Sequence, residues 1–254
     1  MTPLMIVALC LAMVGTAFLS GIFGMAGGMI LVGILLVMMP VPEAMMLHGV
    51  TQLASNAWRG LLWWRHVRWA PVVAYVTGCA LALGVWSFTQ YVPSLPVALL
   101  LLGLTPFMVR LLPKSYRPNA ESLPQGTFYG TICMTLILLT GVAGPLIDTF
   151  FLGGKLDRKE IVATKAICQI FGHAAKLIYF GTLITQTASV DPIVATLAVF
   201  ASMIGTSLAK YILEAMSDQQ YRKWANVIIV TIASYYVIHG TYLLVMTAAV
   251  AKAG

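Results

Sequence analysis

Nine apolar runs make up almost the whole chain, at about 4–22, 25–40, 43–64, 69–91, 95–112, 126–152, 158–183, 191–213 and 221–249. An α-helix needs about 20 apolar residues to cross the hydrocarbon core of a bilayer. In lipid every backbone N–H and C=O must be satisfied within the protein, which leaves helices or a closed barrel. Runs of this length read as helices. Composition agrees: 60% of the 254 residues are hydrophobic and 9% are charged, against roughly 25% charged in a soluble domain. Soluble enzymes and disulfide scaffolds are excluded. The net charge of +7 comes from Lys and Arg scattered among loops. With no basic stripe interleaved with aromatics, it reads as inner-leaflet anchoring and not as a nucleic-acid surface.

Cys10, Cys79, Cys133 and Cys168 lie inside apolar runs without metal-ligand spacing, so no metal or cofactor is expected. The first run lacks the basic n-region of a signal peptide, since Lys and Arg are absent until Arg59, and it is expected to be retained. No hydrolase, zinc-protease or phosphate-loop motif is present, which argues against an enzyme and leaves catalytic residues unassigned.

The longest polar stretch, 113–124, divides the chain into a first repeat, 1–112, and a second, 125–254. Gly21-Ile-Phe-Gly24 is echoed by Gly141-Val-Ala-Gly144, and Glu43 by Glu160. Gln52, Asn56 and Arg59 correspond to Gln169, His173 and Lys176 at one constant offset, which also pairs His48 with Lys165. Charge then relates the halves. Arg65 and Arg68 face an uncharged loop at 183–190, Arg222 and Lys223 an uncharged loop at 92–94, and Lys155, Arg158 and Lys159 a turn holding only Glu43. By the positive-inside rule equivalent loops lie on opposite sides of the membrane. The expected fold is an all-α polytopic membrane protein of two inverted-topology repeats, each a broken or re-entrant first segment followed by three transmembrane helices. Linker 113–124 is then cytoplasmic and both termini are periplasmic. Run 126–152 must enter and leave on one side, turning at Gly141–Pro145; run 4–40 either does the same near Gly21–Gly28 or crosses twice.

His48, Gln52, Asn56 and Arg59 stand at i, i+4, i+8 and i+11, within a sector of about 80° on a helix. Lys165, Gln169, His173 and Lys176 repeat that stripe. A Lys or Arg at mid-membrane costs roughly 2.5–3.5 kcal/mol on insertion scales and usually faces a cavity or pathway. Gly24, Gly27 and Gly28 open one half-helix, and Gly144-Pro145 opens the other. Helix N-termini present N–H groups and a partial positive charge, so the two breaks beside Arg59 and Lys176 suit a small oxyanion. Asp148, the one carboxylate deep in an apolar run, caps a helix, pairs with Lys165 or Lys176, or carries a coupling proton.

Gly21-Ile-Phe-Gly-Met-Ala-Gly-Gly28, with Gly141-Val-Ala-Gly-Pro145 and Ala163-Thr-Lys165 ahead of Gln169, resembles the glycine motifs of the TauE/SafE (sulfite exporter) family over nearly the whole chain. The resemblance implies a multi-pass inner-membrane transporter of sulfite, organosulfonates or related sulfur-containing and carboxylate anions. Met25-Ala26 inside the first glycine run and Pro145-Leu-Ile-Asp148 in the second depart from the family pattern and point to a substrate other than sulfite. The expected function is ion-coupled export of a small oxyanion by alternating access. The alternatives are a passive anion channel and an uptake transporter for a small carboxylate or sulfonate. The expected partners are the anion and membrane lipid, with a homodimer left open.

Overall fold

The computed structural model describes residues 3–23, 25–113, 115, 118–152, 156–184 and 188–253. These form ten helices and, among the described residues, no strand: α1 Pro3–Phe23, α2 Met25–Met38, α3 Val41–Leu62, α4 Trp69–Thr89, α5 Leu95–Arg110, α6 Leu123–Thr140, α7 Gly144–Leu152, α8 Arg158–Ile178, α9 Pro192–Ala215 and α10 Asp218–Ala253. Five stretches are long and apolar enough to cross a bilayer: Pro3–Phe23, Trp69–Thr89, Lys159–Leu183, Pro192–Ala209 and Lys223–Ala251. The chain is a multi-pass membrane protein. Helix α3 has the length, 22 residues, and its polar stripe keeps it out of that group. The large apolar side chains left exposed, such as Leu11, Val37, Val85, Phe88, Phe200 and Ile238, suit contact with lipid.

Helix boundaries follow local chemistry. Prolines stand in the first turn of α3, α5, α6 and α9, where the missing N–H has no intrahelical partner to lose. Asp157 and Glu160 form a reciprocal capping box at the start of α8. The Glu160 N–H holds the Asp157 carboxyl below its usual range. Helix α6 closes at Gly141, whose φ of 86° is the left-handed conformation glycine adopts freely. Thr140 then bridges the break, its hydroxyl donating to the Val142 carbonyl at 2.8 Å.

Two helices are too short to span. At about 1.5 Å per residue, α2 reaches about 21 Å and α7 about 14 Å, against a hydrocarbon core of about 30 Å. Each doubles back from a longer helix, α1 or α6. The first hairpin is tight because Gly27 lies against the backbone of Thr16 and Ser20, where a Cβ would stand 1.8 Å from the Thr16 oxygen.

The most extensive packing joins α1 to α9, α4 to α6, α5 to α10 and α3 to α8. Glycines set both closeness and direction. In α3 Gly49 faces Leu177 and Gly60 faces Ile167, so α3 and α8 run antiparallel. Gly103 faces Ala233 and Val237 while Gly240 faces Pro96 and Leu100, so α5 and α10 are antiparallel as well. By contrast Gly205 meets Val14 and Ala17 while Gly21 meets Thr206 and Ala209, so α1 and α9 run parallel. Helices α4 and α6 are parallel too: Thr127 donates to the Ala74 carbonyl and Thr131 to that of Gly78, each at 3.2 Å.

One rim gathers charge. Arg68 reaches Glu121 at 3.0 Å and Glu160 at 3.3 Å, joining the loop after α3, the linker before α6 and the start of α8. Arg110 at the end of α5 bonds Asn226 near the start of α10. At the opposite rim, the Tyr179 hydroxyl donates to the Tyr91 carbonyl at 2.8 Å, tying a π-turn at Tyr179–Leu183 to the loop after α4. Lys155, which enters the charge comparison of the loops, lies outside the described residues.

Candidate functional site

The antiparallel pair α3 and α8 places the two polar stripes face to face in the centre of the bundle. A polar residue in lipid is expensive, and burial of these side chains against each other relieves that. His48, Gln52, Asn56, His173 and Lys176 are all buried. Between the stripes and the α6–α7 break lies a cavity lined by Gly28, Gln52, Asn56, Arg59, Gln169, His173 and Gly144. Seven of the residues expected from sequence therefore meet at one wall.

The others sit elsewhere, each for a stated reason. Gly27 serves the α1–α2 contact. His48 and Lys176 lie one layer behind the wall. The Lys176 ammonium stands 2.7 Å from His48 Nδ1 and donates to the Gly141 carbonyl at 3.3 Å. His48 Nε2 lies 3.1 Å from the Gly28 carbonyl. A carbonyl only accepts, so Nε2 carries the proton and Nδ1 offers its lone pair to Lys176. Lys165 pairs with Asp148, tying α8 to α7; neither lines the cavity. Gly24 lies outside the described residues.

Arg59 and Lys176 do equivalent work at the two breaks. Arg59 Nη2 donates to the Ser20 carbonyl at 3.2 Å, and Ser20 is among the last four residues of α1. The last four carbonyls of a helix lack intrahelical donors and carry its negative end. Each cation thus closes the C-terminal end of the long helix before a break. Arg59 also reaches the cavity wall, whereas Lys176 does not.

Five residues on the wall escape the sequence reading: Tyr75, Ile137, Val142, Ala143 and Ile147. The aliphatic ones carry no signal that separates a cavity wall from ordinary core. Tyr75 carries one. Tyrosine in membrane helices favours the interface, and a buried hydroxyl asks for a partner.

Two buried polar atoms of wall residues, Asn56 Oδ1 and His173 Nδ1, have no hydrogen-bond partner among the described residues, while the Tyr75 hydroxyl lies beside the thiols of Cys79 and Cys133. Buried polar groups are almost always paired, so such a group calls for an explanation. Both atoms belong to residues that line the cavity together with Arg59 and Gly144, the first residue of α7. No group of His, Cys, Asp and Glu able to hold a metal occurs among the described residues.

A bundle of apolar helices, five stretches of it long enough to cross a bilayer and two short helices folded back beside a cavity, defines a multi-pass membrane protein. More narrowly, the chain belongs to the sulfite exporter TauE/SafE family, whose model matches residues 8–236, from α1 into α10. The family is one of membrane transport proteins, in keeping with a non-enzymatic role. No curated protein and no solved structure matches the chain.

Proposed function

We propose that the protein is a secondary transporter that exports a small sulfur-containing or related oxyanion across the bacterial inner membrane by alternating access. The observation that carries this is the cavity at the meeting of the two breaks, lined by Arg59 and by Asn56 and His173, each of which holds an unpartnered buried polar atom. Arg59 supplies the charge, while Gln52, Gln169 and the first turn of α7 orient the oxygens of the anion.

Two inverted-topology repeats, α1–α5 and α6–α10 on either side of linker 113–124, complete the reading. A two-fold axis in the membrane plane requires equivalent helices to be antiparallel, as α3 is to α8 and α5 to α10. It also requires swapped partners, and α1 packs on α9 where its equivalent α6 packs on α4. The Arg68 rim is then cytoplasmic and both termini periplasmic. Transport follows from rocking of one hairpin against the α3–α8 pair. Asp148 is the coupling candidate, since movement of α7 on α8 frees its carboxylate from Lys165.

Proteoliposomes test the reading. Preloading with unlabelled sulfite or sulfonate should drive uphill counterflow of the labelled anion, abolished in Arg59→Gln. Flux that only follows the electrochemical gradient, with no counterflow, would identify a passive channel instead.

A further inference from the structure

The oxyanion reading of the cavity leaves its wall unevenly matched. Asn56 Nδ2 donates to the Gln52 carbonyl at 2.8 Å. Because a carbonyl can only accept, this bond fixes which end of the amide is nitrogen. The oxygen, Oδ1, is turned away from that carbonyl, is buried and has no partner among the described residues. An amide oxygen accepts and never donates. A bare oxyanion also brings only acceptors, so it cannot satisfy this atom and would be repelled by it. The occupant must carry a donor of its own.

Two further observations narrow that donor and its attachment. Among the described residues no carboxylate lies on the cavity wall, while Arg59 does. An ammonium group would therefore enter without a counter-charge, and a buried unpaired charge is far costlier than a hydrogen-bonded neutral group. The α6–α7 side of the wall is apolar, formed by Ile137, Val142, Ala143 and Ile147. These four side chains contact carbon favourably and offer nothing to the oxygens of an anion, which Gly144 at the start of α7 meets instead.

Resting on the oxyanion reading, we infer that the substrate is a short organic oxyanion bearing a hydroxyl group, a hydroxyalkyl sulfonate or carboxylate. Its anionic head lies toward Arg59, its carbon stem lies along Ile137 and Ile147, and its hydroxyl donates to Asn56 Oδ1. Inorganic sulfite and sulfate leave Asn56 unsatisfied and the apolar side without contact.

Calorimetric binding to the full chain in detergent tests this with matched probes: 2-hydroxyethanesulfonate, ethanesulfonate, 2-aminoethanesulfonate, lactate, propanoate and sulfite. In at least one head-group series the hydroxyl member should bind about ten-fold or more tighter than its parent, the scale set by leaving a buried acceptor unpaired. Asn56→Leu should collapse that ratio while retaining the parent anion. Equal affinity of parent and hydroxyl member in both series overturns the hydroxyl assignment and leaves the oxyanion site standing. Tightest binding of the amine, or of sulfite, also overturns it. A preference that survives in Asn56→Leu removes Asn56 from the account. Absence of binding by every probe to folded protein overturns the oxyanion site itself. The ranking on the unsubstituted protein decides the hydroxyl question even if the variant does not fold.

Discussion

Replacing Gly141 with alanine probes the α6–α7 break with a magnitude that can be worked out in advance. Gly141 closes α6 at φ 86°, its N–H donating to the Ile137 carbonyl at 3.0 Å. A left-handed conformation costs a residue with a Cβ roughly 1–2 kcal/mol. The new Cβ would also stand 2.7 Å from Val32 Cγ2 and 3.1 Å from Met45 Sδ. Met45 is flexible and can shift its sulfur. Val32 is fully buried and, being β-branched in a helix, holds one strongly preferred rotamer. Overpacking of this kind costs about 1–3 kcal/mol. The sum is a loss of about 2–5 kcal/mol. Gly84→Ala serves as the control, because a Cβ there meets nothing within 4 Å, and alanine in a helix interior gains roughly 0.5–1 kcal/mol. Equilibrium unfolding in micelles should separate the two variants in opposite directions. Adding Val32→Ala to Gly141→Ala in a double-mutant cycle should recover the steric share and leave the conformational one. Gly141→Ala as stable as Gly84→Ala, or a cycle without coupling, would refute the description of this break.

Other expectations are more direct. Lys176→Met leaves two buried acceptors without a donor, roughly 1–3 kcal/mol each, yet removes a lysine that costs roughly 2.5–3.5 kcal/mol at mid-membrane. The terms nearly cancel, so melting should move little while flux falls; unchanged flux would contradict the link between the breaks. Arg68→Ala should change stability by no more than about 1 kcal/mol, because its partners Glu121 and Glu160 are bonded through a half-exposed guanidinium. A larger loss on unfolding would show that this rim carries more of the fold. Asp157 has a depressed folded value, so its contribution is present above the ordinary carboxylate range and lost as pH falls through the folded value. Melting of wild type and Asp157→Asn should therefore differ at neutral pH and converge in acid; a constant gap would contradict the capping role.

What was legible in the sequence was what lipid makes expensive. Polar residues at helical spacing on α3 and α8 stand out against an apolar background, and seven of the eight stripe positions are on the cavity wall or bonded directly behind it, Lys165 being the exception. The breaks were legible through Gly141–Pro145 and Gly21–Gly28. Illegible were the distinctions that depend on which neighbour claims a side chain. Lys176 has the same composition signal as Arg59, but the open carbonyl of Gly141 takes its ammonium. Lys165 likewise is taken by Asp148. Ile137 and Ile147 look like core because a cavity wall and a packed interior ask for the same aliphatic residues. Helix-end bonds of this sort arise only once the hairpins have folded back.

The proposed transport depends on binding of the anion in the cavity between the α3 and α8 stripes. Affinity measured by calorimetry for the panel of sulfite, sulfonates and carboxylates, on wild type and Arg59→Gln side by side, tests it most directly. A charge-assisted hydrogen bond contributes roughly 1.5–3 kcal/mol, so the variant should bind the preferred anion about 10–150-fold more weakly while remaining folded. Equal affinity in the two proteins would place the anion elsewhere and contradict the account.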